Sequence, residues 1–129
     1  MADYEIHLYK LPDANLNPNK RLFHKKLAEY KRQAKEELMA RIYEQVKRPS
    51  TPLKQVHIHT RFIIPDKRRR DGDNLFCSMK SYFDGIVLAG LLEDDASEFV
   101  THSFDWMRSD KADTIVTIER SQDGRERED

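Results

Sequence analysis

Cysteine is almost absent from this chain of 129 residues: Cys77 stands alone, which excludes an intrachain disulfide framework and any cysteine-rich zinc site. A reducing, cytoplasmic compartment is the natural expectation. Nowhere do 18 consecutive apolar residues occur, and the opening MADYEIHLYK has no apolar run that would serve as a signal peptide. No membrane partner is therefore expected. Internal repeats are also lacking, and the only low-complexity stretch is the terminal SQDGRERED, residues 121 to 129, which reads as a disordered charged tail. The remaining length, residues 1 to 120, suits one domain with a single modest core.

Net charge is absent too, but the zero is a sum of opposites. From Lys20 to Arg70 there are 16 Lys/Arg against 5 Asp/Glu, or +11, and from Asp71 to Asp129 there are 6 against 15, or −9. Fields act locally, so the junction matters more than the total. It falls inside PDKRRRDGDN, positions 65 to 74, where Lys67, Arg68, Arg69 and Arg70 run directly into Asp71 and Asp73. A second acidic pair, Asp94-Asp95, follows about one secondary-structure element later. Basic side chains hold phosphates, and clustered carboxylates hold hard divalent cations through oxygen. The combination points to metal-assisted phosphodiester chemistry on a nucleic acid.

Periodicity gives these residues positions. Tyr4, Ile6 and Leu8 alternate with polar neighbours, predicting a strand over residues 3 to 9, and the proline- and asparagine-rich LPDANLNPN, 11 to 19, predicts a loop. Phe23, Leu27, Tyr30, Ala34, Leu38, Ile42 and Val46 recur every three or four residues and predict a helix over about 20 to 47, stopped by Pro49 and Pro52. A second strand is predicted over 54 to 64, a second helix over 74 to 89 with Gly90 as its cap, and two further strands over 98 to 106 and 113 to 120. The order, strand, helix, strand, helix, strand, strand, is that of an α/β or α+β two-layer domain.

Asp71 and Asp73 then fall in the connection entering the second helix, and Asp94-Asp95 in the connection leaving it. Along that helix Asp73, Cys77, Lys80 and Asp84 are spaced by four, three and four, which makes one stripe. Two carboxylates about 4 Å apart repel by about 4 kcal/mol at an effective dielectric near 20, so a converging set calls for a cation. Magnesium satisfies both charge and ligand type. Each acid has a plainer reading alone: Asp73 or Asn74 as a helix N-cap, Asp94-Asp95 as a polar turn, Lys80 as a solvated partner of Asp84. Cys77 reads as a packed thiol, and His57 and His59, on one side of a strand, as surface histidines outside the site. Trp106 fits core or interface equally.

The run RRRDGDNLFCSMKSYFDGIVLAGLLEDD resembles the signature of the RusA-type Holliday junction resolvases, a family frequent in phages and prophages. The likeness lies in the arginines, the Asp-x-Asp-Asn, a helix with a lysine and an Asp-Gly, then Ala-Gly and Asp-Asp; it extends more weakly to LNPN. It implies a two-layer fold with a mixed four-stranded sheet and two main helices. It also implies a homodimer that resolves four-way DNA junctions by paired, Mg²⁺-dependent nicks, in the cytoplasm of a bacterial or phage-infected cell. By the same resemblance Asp71, Asp73 and Asp95 hold the metal, with Asp94 in support. In the best-known branch the lysine stands where this chain has Cys77, and Lys80, one turn on, is the candidate for stabilising the attacked phosphate. Lys67 to Arg70, with Arg21 and Lys25 of the first helix, are the expected grip on the DNA backbone. Two rivals stay open: a noncatalytic branched-DNA-binding protein of the same fold, and a nuclease with broader taste for flaps or forks.

Overall fold

The computed structural model describes residues 2–66, 72–94 and 98–121. Lys67, Arg68, Arg69, Arg70, Asp71, Asp95 and nearly all of the expected tail lie outside them. Strand β1 (Tyr4–His7) leads through a 3-10 turn (Ala14–Leu16) to helix α1 (His24–Gln45) and strand β2 (Val56–Ile64). Helices α2 (Gly72–Ser78) and α3 (Lys80–Leu88) follow, then strands β3 (Val100–Arg108) and β4 (Asp113–Arg120). The four strands form one mixed sheet in the order β1-β4-β2-β3. β4 is antiparallel to both its neighbours, whereas β2 and β3 run parallel, Val56 opposite Val100 and Phe62 opposite Trp106. A parallel pair needs a long crossover, and α2 with α3 supplies it. The expected mixed α/β domain is the one observed.

Its boundaries differ where local chemistry overrides periodicity. β1 stops at His7 because Tyr9 takes a positive φ of 63°, a left-handed conformation that an extended strand cannot include. Asp113 secures that kink, accepting from the Tyr9 N–H at 2.8 Å. α1 begins at His24 rather than Lys20, since Asn17 turns the chain first: its carbonyl accepts from the Lys20 N–H and its side chain from that of Asn19, both at 2.9 Å. Arg21 therefore precedes the helix expected to carry it, while Lys25 lies in its first turn; both are exposed. The second helix is two helices. The Ser78 hydroxyl donates back to the Asn74 carbonyl at 2.9 Å, a bond that competes with the backbone ladder and bends helices, and the Met79 N–H takes the Phe76 carbonyl in a tighter turn.

One face of the sheet carries the helices. Ile6, Val56, Ile58, Phe62, Val116 and Ile118 meet Leu38 and Ile42 of α1 and Tyr82 and Ile86 of α3 in a single buried cluster. The two helices approach most closely at Gly85, where a Cβ would stand 2.3 Å from the Lys35 carbonyl oxygen. Only a residue without a side chain fits there. Of the apolar face expected along α1, Ala34, Leu38 and Ile42 are buried, but Phe23, at the N-cap before the first helical residue, is 86% exposed. On the opposite face the polar side chains of β2 and β3 satisfy one another. Both ring nitrogens of His57 pair with Thr101 and Ser103 at 2.7 Å, His59 pairs with Ser103 and Asp105, and Arg61 forks onto Asp105. The Arg61 guanidinium, with help from His59, holds the Asp105 carboxyl below its usual range.

Candidate functional site

Of the expected stripe Asp73, Cys77, Lys80 and Asp84, the last three form one wall of a groove of about 440 Å³, and Asp73 is not part of its lining. The other wall comes from distant parts of the chain: Leu16, Asn17 and Pro18 of the loop after β1, Lys20, and Leu27 and Lys31 of α1. Three lysines and one aspartate give the groove a net positive lining. Asn17, Ser78 and Ser81 add short polar groups. A trough of this composition suits a phosphate-bearing strand, with ammonium groups as point charges and amide and hydroxyl groups as neutral donors.

Tyr82 builds the loop wall. Its ring is fully buried, and its hydroxyl accepts the Asp13 N–H at 3.0 Å. Burial pushes the phenol up to about 12, so it stays neutral at any physiological pH. Asp13 in turn accepts the Asn15 N–H at 2.9 Å and starts the 3-10 turn that presents Leu16 and Asn17 to the groove. The loop is thus pinned to α3 from beneath. The opposing wall depends on the α1–α3 contact at Gly85, one residue beyond Asp84.

Cys77 is exposed and lines the groove, which corrects the expectation of a packed thiol. Along a helix the side facing away from the core is fixed by its neighbours, and here Met79, Tyr82, Phe83 and Ile86 take the inner positions. Lys20 and Lys31 are site residues that sequence reasoning missed. The only sequence signal for them is the lysine and arginine excess between 20 and 70, since nothing local says which of those side chains will face α3.

The two predicted carboxylates among the described residues, Asp73 and Asp94, lie at different levels of the sheet. Asp73, exposed in the first turn of α2, sits where β2 and β3 end: a Cβ on the preceding Gly72 would lie 3.3 Å from Phe104 and 3.8 Å from Trp106. Asp94 sits where those strands begin, because the Glu93 N–H bonds the Leu53 carbonyl at 2.8 Å and Leu53 precedes β2. Six residues of strand separate the two levels, about 20 Å at 3.3 Å per residue. Lys80 stands between them along the crossover. Among the described residues no group of three or more His, Cys, Asp and Glu side chains is placed to hold a metal ion. Asp73 and Asp94 offer hard oxygen donors of the type magnesium takes, and Asp71 and Asp95, each adjacent in sequence to a described part of the site, fall outside the described residues. Nor is any helix among them long and apolar enough to cross a membrane. No protein-family model matches the chain, and no curated protein matches it.

Proposed function

We propose that the protein is a Mg²⁺-dependent, structure-specific endodeoxyribonuclease of the RusA type that nicks four-way DNA junctions. The observation that carries this reading is the lysine-lined groove between α3, α1 and the Asn17 loop, running alongside the helices whose first turn carries Asp73. The sequence around it supplies what the groove lacks: Lys67 to Arg70 as a further grip on DNA backbone, and Asp71 and Asp95 as carboxylates. Arg21 and Lys25, exposed before and in the first turn of α1, extend the basic edge. Binding of this kind is largely sequence-independent and weakens steeply with salt.

Asp71, Asp73 and Asp95, with Asp94, would hold Mg²⁺, which when bound supplies an activated water and neutralises charge on the attacked phosphate. The chain's own contributions are positional. Lys80 sets a positive charge against the phosphodiester, Lys20 and Lys31 hold the neighbouring phosphates, and Asn17 fixes the strand by hydrogen bonding. The separation of Asp73 from Asp94 gives the oligomeric state a chemical reason. A twofold dimer that sets the Asp73 end of one subunit against the Asp94 end of its partner completes two equivalent acid sets, which suits paired nicks on opposed strands.

The test is cleavage of labelled four-way junction, flap and linear duplex in Mg²⁺ and in EDTA, beside Asp73→Asn. Loss of a metal-holding carboxylate removes several kcal/mol of transition-state stabilisation, a factor on the order of a thousand in rate. Equal cutting by Asp73→Asn refutes the assignment. The same Asp73–Asp94 separation favours one second reading, a noncatalytic protein that binds branched DNA; junction binding in EDTA without nicking in Mg²⁺ is its signature. Stronger cleavage of flaps or forks than of junctions would assign the broader nuclease.

A further inference from the structure

Trp106 is the only tryptophan of the chain and is 52% exposed. On the alternating pattern of β3 it belongs to the face that carries the helices, in line with Phe104, which stacks on Phe76 of α2 at 4.9 Å between ring centroids. Phe104 is partly buried whereas Trp106 stays exposed next to the start of α2, where a Cβ on Gly72 would stand 3.8 Å from the indole Cδ1. A large aromatic surface is therefore left facing solvent beside Asp73. Arg108 packs against it. The Arg108 guanidinium lies 5.4 Å from the ring centroid, and Arg108 donates to the Asp66 carbonyl, the last described residue before the basic run.

We propose that Trp106 is a stacking platform for an unpaired base of the bound DNA, and so a determinant of branched over linear substrate. The proposal rests on the nucleic-acid reading of the neighbouring groove. An exposed indole with a guanidinium over its ring offers aromatic surface to a nucleobase and a cation to the adjoining phosphate. An acidic or purely apolar protein partner would use only half of that pair. The sequence immediately before Gly72, four consecutive Lys and Arg residues followed by Asp71, matches the same polyanion. A base within a duplex already has both faces covered by its neighbours, so the platform has nothing to offer linear DNA. Bases splayed at a branch point have a face to give.

The single tryptophan makes its own probe. The full-length protein is titrated in EDTA, where binding is separated from cleavage, with a four-way junction bearing unpaired thymines at its centre and with a linear duplex of equal length. Tryptophan emission should fall on saturation with the junction and not with the duplex. Trp106→Ala should weaken junction binding about tenfold, in line with the loss of one base–aromatic stack, and leave duplex binding within twofold; Trp106→Phe should keep most of the junction affinity. Unchanged emission at saturation, or equal weakening for both DNAs, overturns the proposal. So does an unchanged junction affinity accompanied by dissociation of a dimer, which assigns the indole to a protein contact. Quenching by a wild type that never nicks in Mg²⁺ leaves this inference standing and sinks the nuclease, whereas nicking without quenching does the reverse. Absence of any DNA binding removes both.

Discussion

Replacing Gly85 by alanine should destabilise the protein by about 2 kcal/mol. The added methyl group would stand 2.3 Å from the Lys35 carbonyl oxygen, 3.1 Å from the Met39 amide nitrogen and 3.3 Å from the Leu38 Cβ. Carbon and oxygen tolerate an approach of about 3.3 Å, so α1 and α3 must separate by about 1 Å at this point. The obstacle is backbone, and no rotamer change can relieve it. Overpacking of this kind costs about 3 kcal/mol at the upper end of its usual range, while alanine returns about 1 kcal/mol of helix propensity, and the difference sets the estimate. For a domain of this size it corresponds to a fall in Tm of about 8 °C. Urea unfolding followed by circular dichroism reads it as a lower midpoint at unchanged slope. Gly90, with φ of +81° and no heavy atom within 4 Å of a Cβ, is the control: alanine there costs only left-handed strain, about 1 kcal/mol. A Gly85→Ala protein as stable as the parent would mean that the helices do not meet this closely, and the groove wall built on their contact would have to be redrawn.

The remaining predictions concern charge. Lys31→Ala should weaken binding of any DNA that occupies the groove and lower the slope of log affinity against log salt by about 1, measured by titration at several salt concentrations; an unchanged slope would take Lys31 off the phosphate path. His7 should titrate above its ordinary 6.5, because hydrogen bonds from its ring to Asp113 and Glu5 outweigh the burial that opposes protonation. Stabilisation from the protonated ring is complete below pH 6.5 and is lost as pH rises through the folded-state value. The stability difference between wild type and His7→Gln should accordingly shrink from mildly acid to mildly alkaline pH. A His7 NMR titration midpoint at or below 6.5 would refute this reasoning.

How much of the molecule could be read from its residues depends on the range of the interaction involved. β4 is legible to the residue because alternating Thr114, Val116 and Ile118 fill one face and nothing else competes. Three of the four stripe residues, Cys77, Lys80 and Asp84, are legible for the same reason, since helical spacing needs no knowledge of a partner, while Asp73 does not share their wall. The sequence overextends helix α1 at its start because Phe23 keeps the right period, although it is exposed and the Asn17 turn delays the helix to His24. The second wall of the groove was not legible at all: Lys20 and Lys31 reach it through the Tyr82 anchor and the Gly85 contact, both tertiary. The placement of Asp73 and Asp94 at opposite ends of a strand pair follows from the crossover of α2 and α3, and proximity in sequence hid that separation.

The sheet order has a consequence for how the chain is made. β1 pairs only with β4, so residues 4 to 7 wait for residues 115 to 118 before they can join any sheet. Of these four strands β4 leaves the ribosome last and enters between two older ones, and until it does β2 offers a bare edge along most of its length. Helices α1 and α3 can meet early, but the floor they rest on closes last. A polypeptide released before residue 113 would lack the central strand. It would carry every basic and acidic residue assigned to the DNA and metal, and no completed sheet to hold them in register.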